Sequence, residues 1–394
     1  MRDHTTYLIL GAGAAGITAA EAIRQRDHDG RILMITEDQG LICKRPLLSK
    51  SPLTTLRGGN LSLHKEEWYE DHHIQQISRC KIMSLDTENH KVDTEHGQFT
   101  YEKCIYALGG HNYIPPFPGR ELYGVMTVRS EEDVRRIKHI ALDCRQAVII
   151  GGGVIGLEMA LELKRYGMQV TVLEACPRLM ARQLDQRNAD WLFAHLRDIR
   201  VETGVTIRSI RGTNRVEAVE LADGSSFPCG LVLVSCGQKA NLDIAREAGV
   251  ACDRGVLVND RMETDKLDLW ACGDCAQWRG SNAALWSQAL AQAAVAGANA
   301  AGDDRKLVGF DNTLVLNGED ISLCSMGDAG CDPNKAYKRV EKIRRFGNFS
   351  INERPKEAIE VRYYLSGRMV GGCILGNLSG MAAMAQELRK EGVK

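Results

Sequence analysis

The chain has 394 residues, 44% of them hydrophobic and 26% charged, with a formal net charge of −1. That length suggests two or three domains, and the balanced charge gives no reason to expect a nucleic-acid or membrane partner. No apolar run approaches the ~20 residues a membrane-spanning helix needs, and the polar start "MRDHTTY" shows no secretion signal, so a cytoplasmic protein is expected.

In chain order, the first element is "YLILGAGAAGITAA", an apolar strand followed by Gly11, Gly13 and Gly16 and an alanine-rich helix. Such glycines allow a tight turn, close approach of backbone to a diphosphate, and close helix–strand packing. The helix N-terminus then offers free N–H groups and a positive dipole end. A second strand, "RILMITE", ends in Glu37, placed to accept hydrogen bonds from a ribose diol. Next comes "TEDQGLICKRPLLSK", with a single cysteine, Cys43, ahead of Arg45 and Lys50.

The first unit is then repeated. "AVIIGGGVIGLEMALELKRYGMQVTVLE" supplies a strand, Gly151, Gly153 and Gly156, a helix and a second strand ending in Glu174. A carboxylate there suits a free 2′-hydroxyl and repels a 2′-phosphate, which favours NADH over NADPH. Arg178 and Arg182 follow closely and leave NADPH use open. Two dinucleotide units in one chain point to a flavin that exchanges electrons with a nicotinamide.

Thirteen cysteines are scattered without paired CxxC sets, as expected of reduced thiols and not of a metal cluster, and no metal site is expected. The one CxxC, Cys272 and Cys275 in "WACGDCAQW", reads as small packing residues. From Lys335 to Arg345 the chain carries six basic residues against one acid, Glu341. The run is either a solvated face or a docking patch for an acidic partner.

With these motifs in hand, the chain resembles the FAD-dependent pyridine nucleotide–disulfide oxidoreductase superfamily. "YEKCIYALGGHNYIPPFPG" is similar to the family's segment joining its FAD and NAD domains, and "LVLVSCGQKANLDIAREAGV" to the exit from the NAD domain. "GVLVNDRMETDKLDLWACGDCAQW" resembles its late FAD motif. The resemblance implies that Gly109, Gly273 and the ribityl-binding Asp274 contact FAD, and that Gly237 contacts NAD(H). No CxxxxC of the classical disulfide reductases is present. The run from Arg45 to Lys50 is instead similar to the RPxLSK segment of rubredoxin and ferredoxin reductases and of the N-terminal region of NADH-dependent nitrite reductases. By that resemblance Arg45 approaches the FAD phosphates, while Lys50 sits near the flavin N5 edge and pairs with Glu158, which lines the nicotinamide site. A plain interdomain salt bridge is the alternative for that pair.

The expected architecture is α/β. Two Rossmann-like dinucleotide-binding domains form a glutathione-reductase-like FAD/NAD fold: the FAD domain is split over 1–118 and 241–305, and the NAD(H) domain covers 119–240. A small α+β domain over 306–394 closes the chain. The expected function is an NADH-dependent FAD flavoprotein, an oxidoreductase exchanging electrons with a rubredoxin, ferredoxin or other iron–sulfur carrier in either direction. The alternatives are an NADH oxidase, peroxidase or coenzyme A–disulfide-type reductase using Cys43, and a non-catalytic flavoprotein sensor or scaffold.

Overall fold

The computed structural model describes residues 3–38, 44–50, 63–318, 321–345 and 357–392; Cys43 lies outside them. The chain divides into two compact units. The first takes the described residues within Met1–Lys44, Arg57–His111 and Gln238–Asp311, and the second those within Arg45–Leu56, Asn112–Gly237 and Asn312–Lys394.

In the first unit, strands Ile74–Ile77, Ile32–Ile35, Asp3–Leu10, Gly97–Tyr106 and Leu269–Ala271 lie side by side, all parallel. Every residue of Ile32–Ile35 is buried, as a strand covered on both faces requires. The long strand Gly97–Tyr106 changes neighbours along its length. Its first half pairs antiparallel with Lys91–Thr94, which in turn pairs with Ile82–Asp86. Its last residues pair with Leu269–Ala271, which places the late segment one strand away from Asp3–Leu10, the strand that leads into the first glycine loop. Helices Ala14–Arg24 and Trp286–Ala300 pack tightly because small residues meet there: a Cβ on Gly297 would lie 2.2 Å from the Ala19 carbonyl oxygen.

The second unit repeats the parallel design. Strands Ile199–Thr203, Gln169–Glu174, Gln146–Ile150, Leu231–Val234 and Val125–Met126 form its sheet, with an antiparallel set of Ile207–Arg211, Ala218–Leu221 and Ser226–Pro228 beside it in sequence. The same unit holds a five-stranded antiparallel sheet in the order Leu314–Asn317, Ser322–Gly327, Arg368–Gly376, Glu357–Leu365 and Lys338–Arg345. Its two longest neighbours form the hairpin legible in "AIEVRYYLSGRMVGGCILGN", and the helix Met381–Lys390 covers one face. The other face shares a core with the second dinucleotide sheet: Leu323, Val361, Tyr363 and Leu375 belong to the same buried cluster as Leu157, Leu163 and Leu192.

Candidate cofactor and active site

The first glycine loop joins the strand Asp3–Leu10 to the helix Ala14–Arg24, whose N-cap is Gly13 with no side-chain cap and no acid in the first turn. Its glycines divide into two kinds. Gly11 has φ +101°, and a Cβ there would lie 2.4 Å from the Ala107 carbonyl oxygen; a Cβ on Gly16 would lie 2.0 Å from the Gly11 carbonyl oxygen. Those two positions close the turn. A Cβ on Gly13 would meet no described atom within 4 Å, so its neighbourhood is open space above uncapped N–H groups.

The late segment completes this region. Gly273 donates its N–H to Gln292 Oε1 at 2.9 Å, and a Cβ on it would lie 2.8 Å from the Ala15 methyl. Asp274 follows in the short turn Gly273–Cys275, whose Asp274 carbonyl accepts from Asn282 Nδ2 at 3.0 Å. Gln292 is fully buried, and its Nε2 has no hydrogen-bond partner among the described residues. Glu37 is exposed just beyond the strand Ile32–Ile35, and Gly109 (φ +64°) accepts from Asn241 N through its carbonyl. An uncapped helix start, open space around Gly13 and a buried donor with no described partner fit a dinucleotide.

The second loop has the same division. Gly151 (φ +112°) and Gly156 are pressed against backbone, the latter 2.1 Å from the Gly151 carbonyl oxygen if given a Cβ, while Gly153, N-cap of the helix Val154–Arg165, faces open space. Glu174 is fixed at the end of its strand: its two oxygens accept from Gly152 N at 2.5 Å and Cys176 N at 2.7 Å. Arg178 donates to the carbonyls of Leu184 and Ala181 at 3.1 and 3.0 Å. One of the two guanidiniums that kept a 2′-phosphate possible is therefore engaged within its own loop. Arg182 is exposed, and Gly237 (φ +94°) accepts from Tyr113 N.

In the second turn of that helix lies Glu158, 4% exposed. Lys50 Nζ donates to Glu158 Oε1 at 2.9 Å, and the buried Ser49 hydroxyl donates to Oε2. Both lone-pair faces of a buried carboxylate are thus held, one by a cation and one by a hydroxyl. Arg45 begins the short turn Arg45–Leu47 that leads into Ser49 and Lys50. Sequence reasoning singled out Lys50 and Glu158 but passed over Ser49, and it also passed over Gln292. A signal for Gln292 was available: Gln288 and Gln292 share one face of an alanine-rich helix, a poor place for two amides unless they have partners.

A family profile described as pyridine nucleotide-disulphide oxidoreductase matches residues 5–300. The chain belongs to this family. It is 34% identical over 281 residues to the ferredoxin reductase component of chlorobenzene dioxygenase from Cupriavidus sp. (strain PS12), covering 70% of this chain and 68% of that protein. It is also 34% identical over 274 residues to a rubredoxin-NAD(+) reductase of Pseudomonas putida, covering 68% and 71%. The solved NADH:rubredoxin oxidoreductase of Clostridium acetobutylicum superimposes with a TM-score of 0.79 at 27% identity, over 98% of this chain and 96% of that one. The protein is accordingly an FAD-dependent oxidoreductase that uses NAD(H), with the two-dinucleotide α/β fold of its family.

Among this family member's thiols, Cys272 and Cys275 are wholly buried. Burial pushes the Cys275 thiol up to about 12 and Cys272 well above its ordinary value. Cys275 donates to the Cys272 carbonyl at 3.2 Å. Both therefore stay neutral at physiological pH, which suits packing and not thiolate chemistry.

The basic run forms the edge strand Lys338–Arg345, and much of its charge is already spent. Lys335 pairs with Asp328, Arg339 with Asp185 and Glu341, Arg344 with the buried Glu360, and Arg345 with Glu357. Lys338 and Lys342 have no ion pair among the described residues, and their even spacing puts them on one face of the strand. No described helix is long and apolar enough to cross a membrane.

Proposed function

We propose that the protein is an NADH-dependent reductase that passes electrons between NAD(H) and a small iron–sulfur or rubredoxin-type carrier, in either direction. The observation that carries this reading is the buried Glu158 carboxylate held by Lys50 and Ser49 in the helix that opens at the second glycine loop. In this reading Gly11, Gly13, Gly16, Glu37, Arg45, Gly109, Gly273 and Asp274 hold FAD, within residues 1–118 and 241–305. Gly151, Gly153, Gly156, Glu174 and Gly237 hold NAD(H), within 119–240, and residues 306–394 form a small closing domain. When bound, FAD supplies the conversion between paired and single electrons that neither NAD(H) nor side chains perform readily.

The chain's own groups do the rest. Glycine-loop N–H groups take the diphosphates. The Glu174 carboxylate, with the Arg178 guanidinium engaged on carbonyls of its own loop, favours a ribose with its 2′-hydroxyl free, hence NADH, while the exposed Arg182 leaves NADPH use open. Lys50 places positive charge where the flavin gains electron density, and Glu158 and Ser49 fix where that charge stands. Free thiols, twelve of them among the described residues, suit a reducing cytoplasm.

The relatives support the carrier class, since the two curated proteins are named for ferredoxin or NAD(+)-coupled rubredoxin reduction. Adding NADH to the anaerobic holoenzyme is expected to bleach the flavin, and a rubredoxin or ferredoxin added next is expected to restore its colour. Restoration by oxygen or a disulfide alone would sink this assignment. Within the basic run, Lys338 and Lys342 are the cations free to meet an acidic carrier. Lys338→Glu with Lys342→Glu is expected to lower carrier-dependent kcat/KM by roughly tenfold at low salt, with the deficit shrinking as the ionic strength rises. Bleaching by NADH should stay unchanged. Equal turnover at low salt removes this docking patch.

A further inference from the structure

The segment between Glu174 and the helix Gln186–His195 lies against the second glycine loop. Met180 donates its N–H to the Gly152 carbonyl at 3.0 Å, and a Cβ on Gly152 would lie 2.5 Å from a Leu179 methyl. Glu174 fastens the start of this segment through Cys176 N. Its far end is fastened by residues from the C-terminal antiparallel sheet. Asp185 caps the helix by accepting from Asn188 N at 2.8 Å. Its other oxygen, Oδ2, accepts from Arg339 Nε at 2.9 Å and from the Tyr363 hydroxyl at 2.7 Å.

Asn188 closes the ring. Its Oδ1 accepts from Arg339 Nη2 at 3.0 Å, and its Nδ2 donates to the Tyr363 hydroxyl at 2.9 Å. Ser325, from the same sheet, donates to the Gln183 carbonyl at 2.8 Å. Asn188 and Tyr363 are 1% exposed, so water cannot replace a lost partner. The nucleotide loop is thus held at one end by its own strand and at the other by the C-terminal sheet.

We propose that this Asp185–Asn188–Arg339–Tyr363 latch is a positioning device for the nucleotide half-site, through which the C-terminal sheet sets the affinity for NAD(H). The proposal rests on the reading that NAD(H) occupies the second glycine loop. None of the four residues needs to touch the nucleotide. They fix the segment that carries Leu179 and Met180 over Gly152 and that spends Arg178 on the carbonyls of Ala181 and Leu184. Loosening it frees that lid to shift and unsettles the Gly152 and Cys176 N–H groups that orient Glu174.

The test measures NAD+ binding to the oxidised, FAD-loaded enzyme by calorimetry, in Tyr363→Phe, which keeps the ring, and in Arg339→Lys, which keeps the charge. The expected result is a Kd raised about tenfold or more in both, with FAD content and flavin spectrum unchanged, and a rise in KM for NADH that outweighs any change in kcat. An unchanged Kd alongside a lowered melting temperature overturns the proposal and leaves the latch as scaffolding only. A raised Kd seen only in preparations that have lost FAD overturns it as well. Gly153→Ala is measured in parallel: if it leaves NAD+ binding intact, the placement of NAD(H) on this loop fails, and the proposal falls with it.

Discussion

Glu158→Gln is expected to slow anaerobic bleaching of the flavin by NADH on the order of 10²-fold, the scale on which a single well-placed electrostatic partner acts. The substitution keeps the size of the side chain and a group that the Ser49 hydroxyl can bond, and it removes the countercharge of Lys50. FAD content should be unaffected, because Glu158 lies in the helix of the second loop. Lys50→Met is expected to slow bleaching comparably and to lower stability more. It leaves a buried carboxylate with only a neutral donor, and one uncompensated buried charge costs roughly 3–5 kcal/mol. The double variant Lys50→Met with Glu158→Gln buries no unpaired charge and should recover the melting temperature without recovering the rate. A wild-type bleaching rate in Glu158→Gln, with FAD fully bound, would reduce the pair to a structural tie.

The second large effect separates glycines that look alike in the sequence. Gly13→Ala is expected to give a folded, colourless protein, because its Cβ meets no described atom within 4 Å yet intrudes on the space above the helix N-terminus. Gly153→Ala is expected to retain FAD and lose NADH binding by at least tenfold, for the same reason in the second unit. Gly16→Ala should instead fail as a fold, since its Cβ would lie 2.0 Å from backbone. Circular dichroism, flavin absorbance and NAD+ titration distinguish the three outcomes. Gly13→Ala protein that keeps its flavin would place the diphosphate elsewhere.

The glycine loops were legible because backbone geometry forces them: only glycine tolerates φ near +100° against a carbonyl, so the strand–loop–helix pattern carries its own explanation at Gly11 and Gly151. The C-terminal hairpin was legible from strand alternation around Ser366 and Gly367. Other features depended on contacts between residues far apart in the chain. Ser49 is an ordinary polar residue until the helix Val154–Arg165 brings Glu158 to it. Arg178 reads as a phosphate ligand in the sequence, and only the fold of its loop shows its guanidinium spent on two carbonyls. The basic run is a further case of long-range pairing. Its charges stand together in the sequence, whereas their acidic partners come from Asp185, Asp328, Glu357 and Glu360, dispersed along the chain.

The strand Lys338–Arg345 ends its sheet with no further described strand beside it, so its outer N–H and C=O groups could in principle zip onto a second copy. Symmetric antiparallel pairing keeps each side chain on its own face of the sheet and so can only match residues of like parity. The central register then sets Glu341 against Glu341, or, one step along, Lys342 against Lys342. Neither crossing is favourable. In these two registers association through that edge should therefore be resisted, because the strand's own like charges meet and act as a guard against self-templating.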